Sequence, residues 1–148
     1  MTVRVQAEPF DPGAEASGFA AGRRDVGAVV TFTGRVREPA SADLVALEIE
    51  HYPGMTARAI EAMVATAIER WSLVDALVVH RHGRMVPGEA IMMVATAAPH
   101  RRAAFAAAEF LMDYLKSRAP FWKKEETADG ASWVVAEDED EAALDRWT

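Results

Sequence analysis

Apolar residues at positions 60, 63, 64, 67, 68 and 71 recur every three or four places, with Arg58, Glu61, Glu69 and Arg70 between them. This spacing predicts a helix with one buried face, its Met63 and Trp71 set in the core. Just before it, Val45, Leu47 and Ile49 alternate with Glu48 and Glu50. Residues 44–52 therefore read as a half-buried strand, ended by Pro53-Gly54. Residues 26–36 are rich in β-branched side chains and carry Gly27 and Gly34, which predicts a buried strand with a bend. The apolar runs at 73–84 and 90–97, separated by Pro87-Gly88-Glu89, read as a β-hairpin. After Pro99, residues 100–117 form a second helix with Phe105, Ala108, Met112 and Leu115 as its spine. Its many alanines favour helix and close packing, and Pro120 ends it.

The remaining segments are weaker. Residues 2–7 suggest a first strand, 8–18 a loop with a short helix after Asp11, 38–43 a mobile polar turn, and 133–136 a last short strand. The acidic run that follows reads as a solvated or frayed helix. Paired antiparallel strands, with helices after hairpins rather than between all strands, predict an α+β domain and not a doubly wound parallel sheet. With 148 residues, one domain over 1–136 and an acidic tail over 137–148 is the expected organisation.

Composition narrows the chemistry. The chain has no cysteine, which excludes a disulfide framework, a thiolate metal site, a cysteine nucleophile and a persulfide carried on this chain. Any sulfur it handles comes from another molecule. His80 and His82 form a His-x-His pair, a metal half-site on one strand face, but no third ligand lies nearby in sequence, so no metal is expected. No run approaches the ~20 apolar residues of a membrane span and the N-terminus lacks an apolar signal core, so a cytoplasmic protein is expected.

The net charge of −7 argues against broad nucleic-acid binding, but it is unevenly spread. Six acids and one arginine between residues 136 and 148 give −5, which leaves −2 for everything before them. Residues 100–125 hold six bases and three acids, a net of +3. The chain has 13 arginines but only three lysines, Lys116, Lys123 and Lys124, all within nine residues. The cluster reads either as chance on a solvated loop or as a functional choice, since lysine can be tuned to lose its proton where arginine cannot.

Polar groups concentrate at 33–37, 80–84, 99–102 and 116–125; none of these segments is a Walker loop, dinucleotide fingerprint or nucleophile elbow. Pro99-His100-Arg101 sets cations at a helix N-terminus, where free backbone N–H groups already favour an anion. At the other end, Lys116 and Arg118 either cap the helix dipole or, across a stiff Pro120-Phe121-Trp122 turn, bring Lys116 and Lys123 over one pocket. Close cations lower each other's pKa, and a desolvated lysine can serve as acid or base.

Several stretches carry a resemblance in order along nearly the whole chain, from about residue 3 to 135. They are Gly27 to Arg37, Leu47 to Met55, His80-Arg81-His82-Gly83, Pro87-Gly88-Glu89, His100-Arg101 with Phe105, and Met112-Asp113-Tyr114-Leu115-Lys116 through Trp122-Lys123-Lys124-Glu125. The chain resembles the catalytic large subunit of molybdopterin synthase. The resemblance implies an α/β hammerhead fold and a homodimer. It also implies a small ubiquitin-like sulfur-carrier subunit at each end, making a heterotetramer. The implied reaction converts cyclic pyranopterin monophosphate to molybdopterin with sulfur from the carrier's C-terminal thiocarboxylate. No cofactor of the chain's own is implied.

By the same resemblance, Lys116 and Lys123 are catalytic. Arg35, Val36, Arg37, His100, Arg101, Lys124 and Glu125 bind substrate with them, while Phe32 and Met112 line the pocket. Family members can carry a basic residue shortly after the last Trp-Val strand, where Glu137 here opens an acidic run. The alternative is a non-catalytic module that binds an acidic carrier protein or a phosphorylated metabolite. Geometry adds one constraint. His100-Arg101 and Lys116 lie about 15 residues apart on one helix, roughly 22 Å at 1.5 Å per residue. One small pterin hardly reaches both in the same chain, so either they serve different sites or one pocket draws Lys116 from one subunit and His100-Arg101 from the other; with a dimer implied, the shared pocket is favoured.

Overall fold

The computed structural model describes residues 1–134 and 138–148. The chain runs β1 (Thr2–Gln6), α1 (Pro12–Gly18), β2 (Ala28–Arg35), β3 (Leu44–His51), α2 (Met55–Trp71), β4 (Asp75–Arg81), β5 (Gly83–Met85), β6 (Ala90–Ala98), α3 (Arg101–Ser117), β7 (Phe121–Thr127), β8 (Gly130–Trp133) and α4 (Asp138–Ala143), then a 3₁₀ turn, Leu144–Trp147. The strands form two four-stranded sheets, ordered β1-β4-β6-β2 and β5-β3-β7-β8. All neighbours are antiparallel except β1 and β4. This is the α+β architecture that the pattern predicts.

The first sheet explains its own sequence. β4 and β6 are apolar at nearly every position because both faces are covered. Ala76, Val78, Met92, Val94 and Ala98 pack against α2 and α3, while Leu77, Val79, Met93 and Ala95 meet Phe10 and Phe19 on the other side. Phe10 and Phe19 flank α1, which Asp11 caps by accepting from the backbone N–H groups of Gly13 and Ala14. On α2 the predicted stripe holds: Ile60, Val64 and Ala67 are buried, with Met63, Ile68 and Trp71 packed at the rim.

Several expectations need correction. The spine of α3 is rotated from the predicted one. Ala104, Ala107, Ala108, Phe110, Leu111 and Leu115 face the core, and Phe105 is 62% exposed. The small side chains let α3 settle close to the sheet, so the alanine face wins over the isolated phenylalanine. The strand β2 bends at Gly34/Arg35 as predicted, but it is an edge strand, with Val29 and Phe32 exposed. In β3, Val45 falls in a register shift between Leu44 and Ala46, and this bulge turns it outward.

A further correction concerns the predicted hairpin. β4 and β6 do pair, but the chain turns at Gly83, whose φ is +98°, and Gly83–Met85 leaves for the second sheet beside β3. The predicted aromatic turn at 120–122 is the start of β7, which pairs with β3 over most of its length. The last strand, β8, lies earlier than the predicted 133–136 and shares only Trp133 with it, while residues 135 and 136 lie outside the described residues. The acidic run forms α4 and docks on α3. Arg118 bridges Glu141 at 2.6 Å, Arg146 bridges Asp113 at 2.7 Å, and Trp147 packs on Trp71 and Phe110.

One glycine controls how the sheet delivers α3. A Cβ at Gly27 would lie 2.2 Å from the carbonyl oxygen of Pro99. The backbone there is in contact already, since the Gly27 N–H donates to Ala98 O at 3.0 Å. Gly27→Ala is expected to destabilise the fold by about 1–3 kcal/mol through this overpacking. Chemical denaturation measures it, and an unchanged midpoint would contradict the close approach.

Candidate active site

The lysine end of α3 gathers most of the predicted residues. The helix ends where the N–H groups of Arg118 and Ala119 both donate to Tyr114 O, and Pro120 prevents its continuation. Lys116 sits in the last turn, exposed and favourable to the helix dipole. Pairing with β3 then sorts the next residues by face. Phe121, Lys123 and Glu125 stand opposite His51, Ile49 and Leu47, while Trp122 and Lys124 stand opposite Glu50 and Glu48. Adjacent lysines therefore diverge. Lys124 lies over the Trp133 ring, 4.6 Å from its centre. Lys123 turns to the inner side and is half-buried.

The electrostatics single out Lys123. Burial holds its pKa below the ordinary lysine range, the charge of Lys116 adds to the effect, and Asp140 of α4 opposes it. Lys116 and Lys123 are thus brought into one another's field, as the spacing suggested. Asp140 was not foreseen. Its position depends on the docking of α4, and the acidic run in which it lies looked uniformly solvated.

β2 brings its basic end to the same side. β2 runs antiparallel to β6, and Arg35 pairs with Ala90 at the end remote from Pro99. Since α3 runs back along β6 from Pro99, that end is the one Lys116 reaches. Arg35 donates from Nε and Nη2 to Gly88 O at 3.2 and 2.9 Å, which ties the 87–89 turn to the strand. Val36 is locked to the same turn: its N–H donates to Glu89 O at 2.9 Å and its carbonyl accepts from Gly88 N at 2.7 Å. The Val36 side chain is buried with Leu47, Ile49 and Met85, and Phe121 packs on that cluster. Val36 is therefore a packing link between β2 and β7. Arg37 is exposed just beyond it, Phe32 is 44% exposed on β2, and Met112 is partly buried against the main core.

His100 and Arg101 do not join them. His100 is the N-terminal flanking residue of α3, with no side-chain cap on the helix, and Arg101 opens the first turn; both are exposed. They stand at the opposite end of a 17-residue helix from Lys116. One chain holds Arg35, Lys116 and Lys123 at one end of α3 and His100-Arg101 at the other.

Only His80 of the histidine pair lies on β4, which ends at Arg81, and His82 follows it in the connection to β5. The His80 ring stacks on Phe121 with centroids 3.8 Å apart, and His82 stacks on His51 at the same distance. His80 is buried and donates from Nδ1 to Arg81 O at 2.8 Å. Burial pushes its pKa down to about 4, with the charge of Lys123 adding to the effect. The His82 pKa is lowered by burial first and by His51 second, against the pull of Glu8. Among the described residues, no group of three His, Cys, Asp or Glu side chains is placed to hold a metal ion. A cavity of about 400 Å³ opens between Tyr114, Arg118 and the C-terminal segment, but it does not include Lys116 or Lys123. No described helix is long and apolar enough to cross a membrane.

Known proteins resemble this chain in sequence and fold. The sequence profile described as "MoaE protein" matches residues 5–118. The molybdopterin synthase catalytic subunit of Cereibacter sphaeroides is 69% identical over 147 residues, covering 99% of this chain and 100% of its own. The fold superposes on the molybdopterin biosynthesis MoaE protein of Burkholderia ambifaria with a TM-score of 0.84 and 50% identity, over 99% of this chain and 97% of that one. It superposes on molybdopterin synthase from Staphylococcus aureus with a TM-score of 0.81 and 30% identity, over 89% and 96%. A profile match across most of the length, joined to end-to-end identity with a catalytic subunit, places this chain in the MoaE family.

Proposed function

We propose that this chain is the catalytic subunit of a molybdopterin synthase and that its reaction centre lies at the Lys116–Lys123 end of α3. The observation that carries the siting is the coupling of those two ammonium groups, one exposed and one half-buried with its pKa held down. The enzyme converts cyclic pyranopterin monophosphate to molybdopterin. A small sulfur-carrier subunit supplies sulfur from its C-terminal thiocarboxylate, which agrees with the absence of cysteine from this chain. Substrate and carrier tail are both anionic, so bringing them together costs repulsion unless fixed cations offset it. Arginine suits the phosphate by its two-pronged geometry, and a lysine of lowered pKa suits proton transfer. Lys116 and Lys123 assist attack by the thiocarboxylate and move protons during ring opening and loss of water. Arg35, Arg37, Lys124 and Glu125 bound the substrate side, with Phe32 and Met112 as apolar walls. The chain supplies a pocket and proton transfer and requires no resident cofactor or metal.

The working unit is a homodimer with one carrier subunit at each end. The unpaired edge of β2, with Val29 46% and Phe32 44% exposed and Phe105 of α3 62% exposed, supports a second copy at that side. A dimer also resolves the distance along α3: His100 and Arg101 of one subunit complete the anion site beside Lys116 and Lys123 of the other. The cytoplasm is the expected location.

Lys116→Ala and Lys123→Ala are each expected to lower turnover with thiocarboxylated carrier by 10²-fold or more, roughly the scale of general acid–base catalysis. Lys116 is exposed, so the Tm of its variant should hardly move, and full turnover by that variant would refute the siting. If neutral Lys123 is the working form, the rate rises with pH through its lowered pKa, and Lys123→Ala abolishes that limb. Co-expressed chains carrying His100→Ala and Lys116→Ala test the shared pocket. Each purified mixed dimer retains one intact site and is expected to recover about half the parent turnover. Mixed dimers as inactive as either single variant would overturn the shared pocket.

A further inference from the structure

His80 takes no direct part in the reaction described above, yet it is a buried polar ring beside the reaction centre. It lies at the end of β4, on the face that Ala76 and Val78 turn toward the helices. The Phe121 ring covers it at 3.8 Å, nearly parallel at 18°. Phe121 and Lys123 are two residues apart on β7 and share a face. The imidazole is fixed in tautomer as well as in place, since Arg81 O can only accept and Nδ1 must carry the proton. The His80–Phe121 stack thus joins the first sheet to the second on the face of β7 that carries Lys123, and close enough for the Lys123 charge to act on His80.

We propose that His80 is a positioning residue for Lys123: stacked on Phe121 and pinned to Arg81 O, its neutral ring forms a platform that keeps water from the Lys123 ammonium. Burial is the first cause of the lowered lysine pKa, ahead of the Lys116 charge. A platform that itself took up a proton would add a second like charge, and His80 is held neutral down to about pH 4. The charged and titratable groups that bear on the two side chains are Lys116 from α3, Asp140 from α4 and His82 beyond β4. Of these only Asp140 favours the charged lysine, so the platform acts with Lys116 and against Asp140.

This role rests on the reading of Lys123 as a proton-transfer group, and the test separates the two. The chain has only three lysines, so side-chain ¹³Cε resonances of the full-length protein can be titrated one by one, with Lys→Arg variants for assignment. His80→Ala is expected to raise the Lys123 midpoint by about one pH unit and to slow single turnover with thiocarboxylated carrier about tenfold at neutral pH. His80→Phe keeps the ring and is expected to restore both, which a loss of general stability would not do. Phe121→Leu removes the stack while His80 stays, and is expected to shift the midpoint in the same direction; it serves if His80→Ala does not fold. Folded His80→Ala or Phe121→Leu protein with an unmoved Lys123 midpoint would overturn the proposal. So would a His80→Phe protein shifted as far as His80→Ala. A shifted midpoint with unchanged turnover would leave the platform standing and remove Lys123 from the chemistry.

Discussion

The close seat of α3 against β6 and β2 decides where the cations of this chain end up. Ala104, Ala107 and Ala108 bring the helix down onto the sheet, and the buried Thr96 hydroxyl donates to Ala104 O at 2.7 Å, so the contact is polar as well as apolar. Gly27 clears the space at one end and Pro120 stops the helix at the other. The 17 residues between them carry His100-Arg101 to one side and Lys116 to the opposite side. The separation of these two groups of cations follows from that packing.

The second sheet gives the lysine end its chemistry. Leaving α3, the chain has few apolar residues to bury, and β7 is held by pairing to β3 and β8. That pairing separates Lys123 from Lys124 although they adjoin in sequence. One faces inward and is desolvated, and the other lies over the Trp133 ring on the opposite face. The strand pleat thus gives adjacent lysines different neighbours, and burial lowers the pKa of Lys123. The Val36 anchor and the Arg35 bond to Gly88 bring the basic end of β2 beside them.

Much of this was legible from residues alone. The stripe on α2, the Asp11-capped helix, the alternation of β3 and the clustering of three lysines all reflect local periodicity or composition, and all lead to the right elements. The resemblance in motifs supplied the family. The errors share one cause. The β3 bulge at Val45, the outward Phe105, the split at Gly83 and the strand at 121–127 each depend on a partner far away in sequence. A run such as Trp122-Lys123-Lys124-Glu125-Glu126 has no apolar alternation to mark it as a strand.

By itself, the sequence determined that this is a cysteine-free α+β domain, that its cations cluster around the second long helix, and that His100-Arg101 and Lys116 lie roughly 22 Å apart along it. Periodicity, residue chemistry and the rise per residue are properties of the chain. Tertiary structure alone decided that Lys123 is desolvated, that His80 and Phe121 stack near it, and that α4 brings Asp140 within its field. Desolvation and Coulombic coupling depend on distances between segments, and only the folded packing sets them.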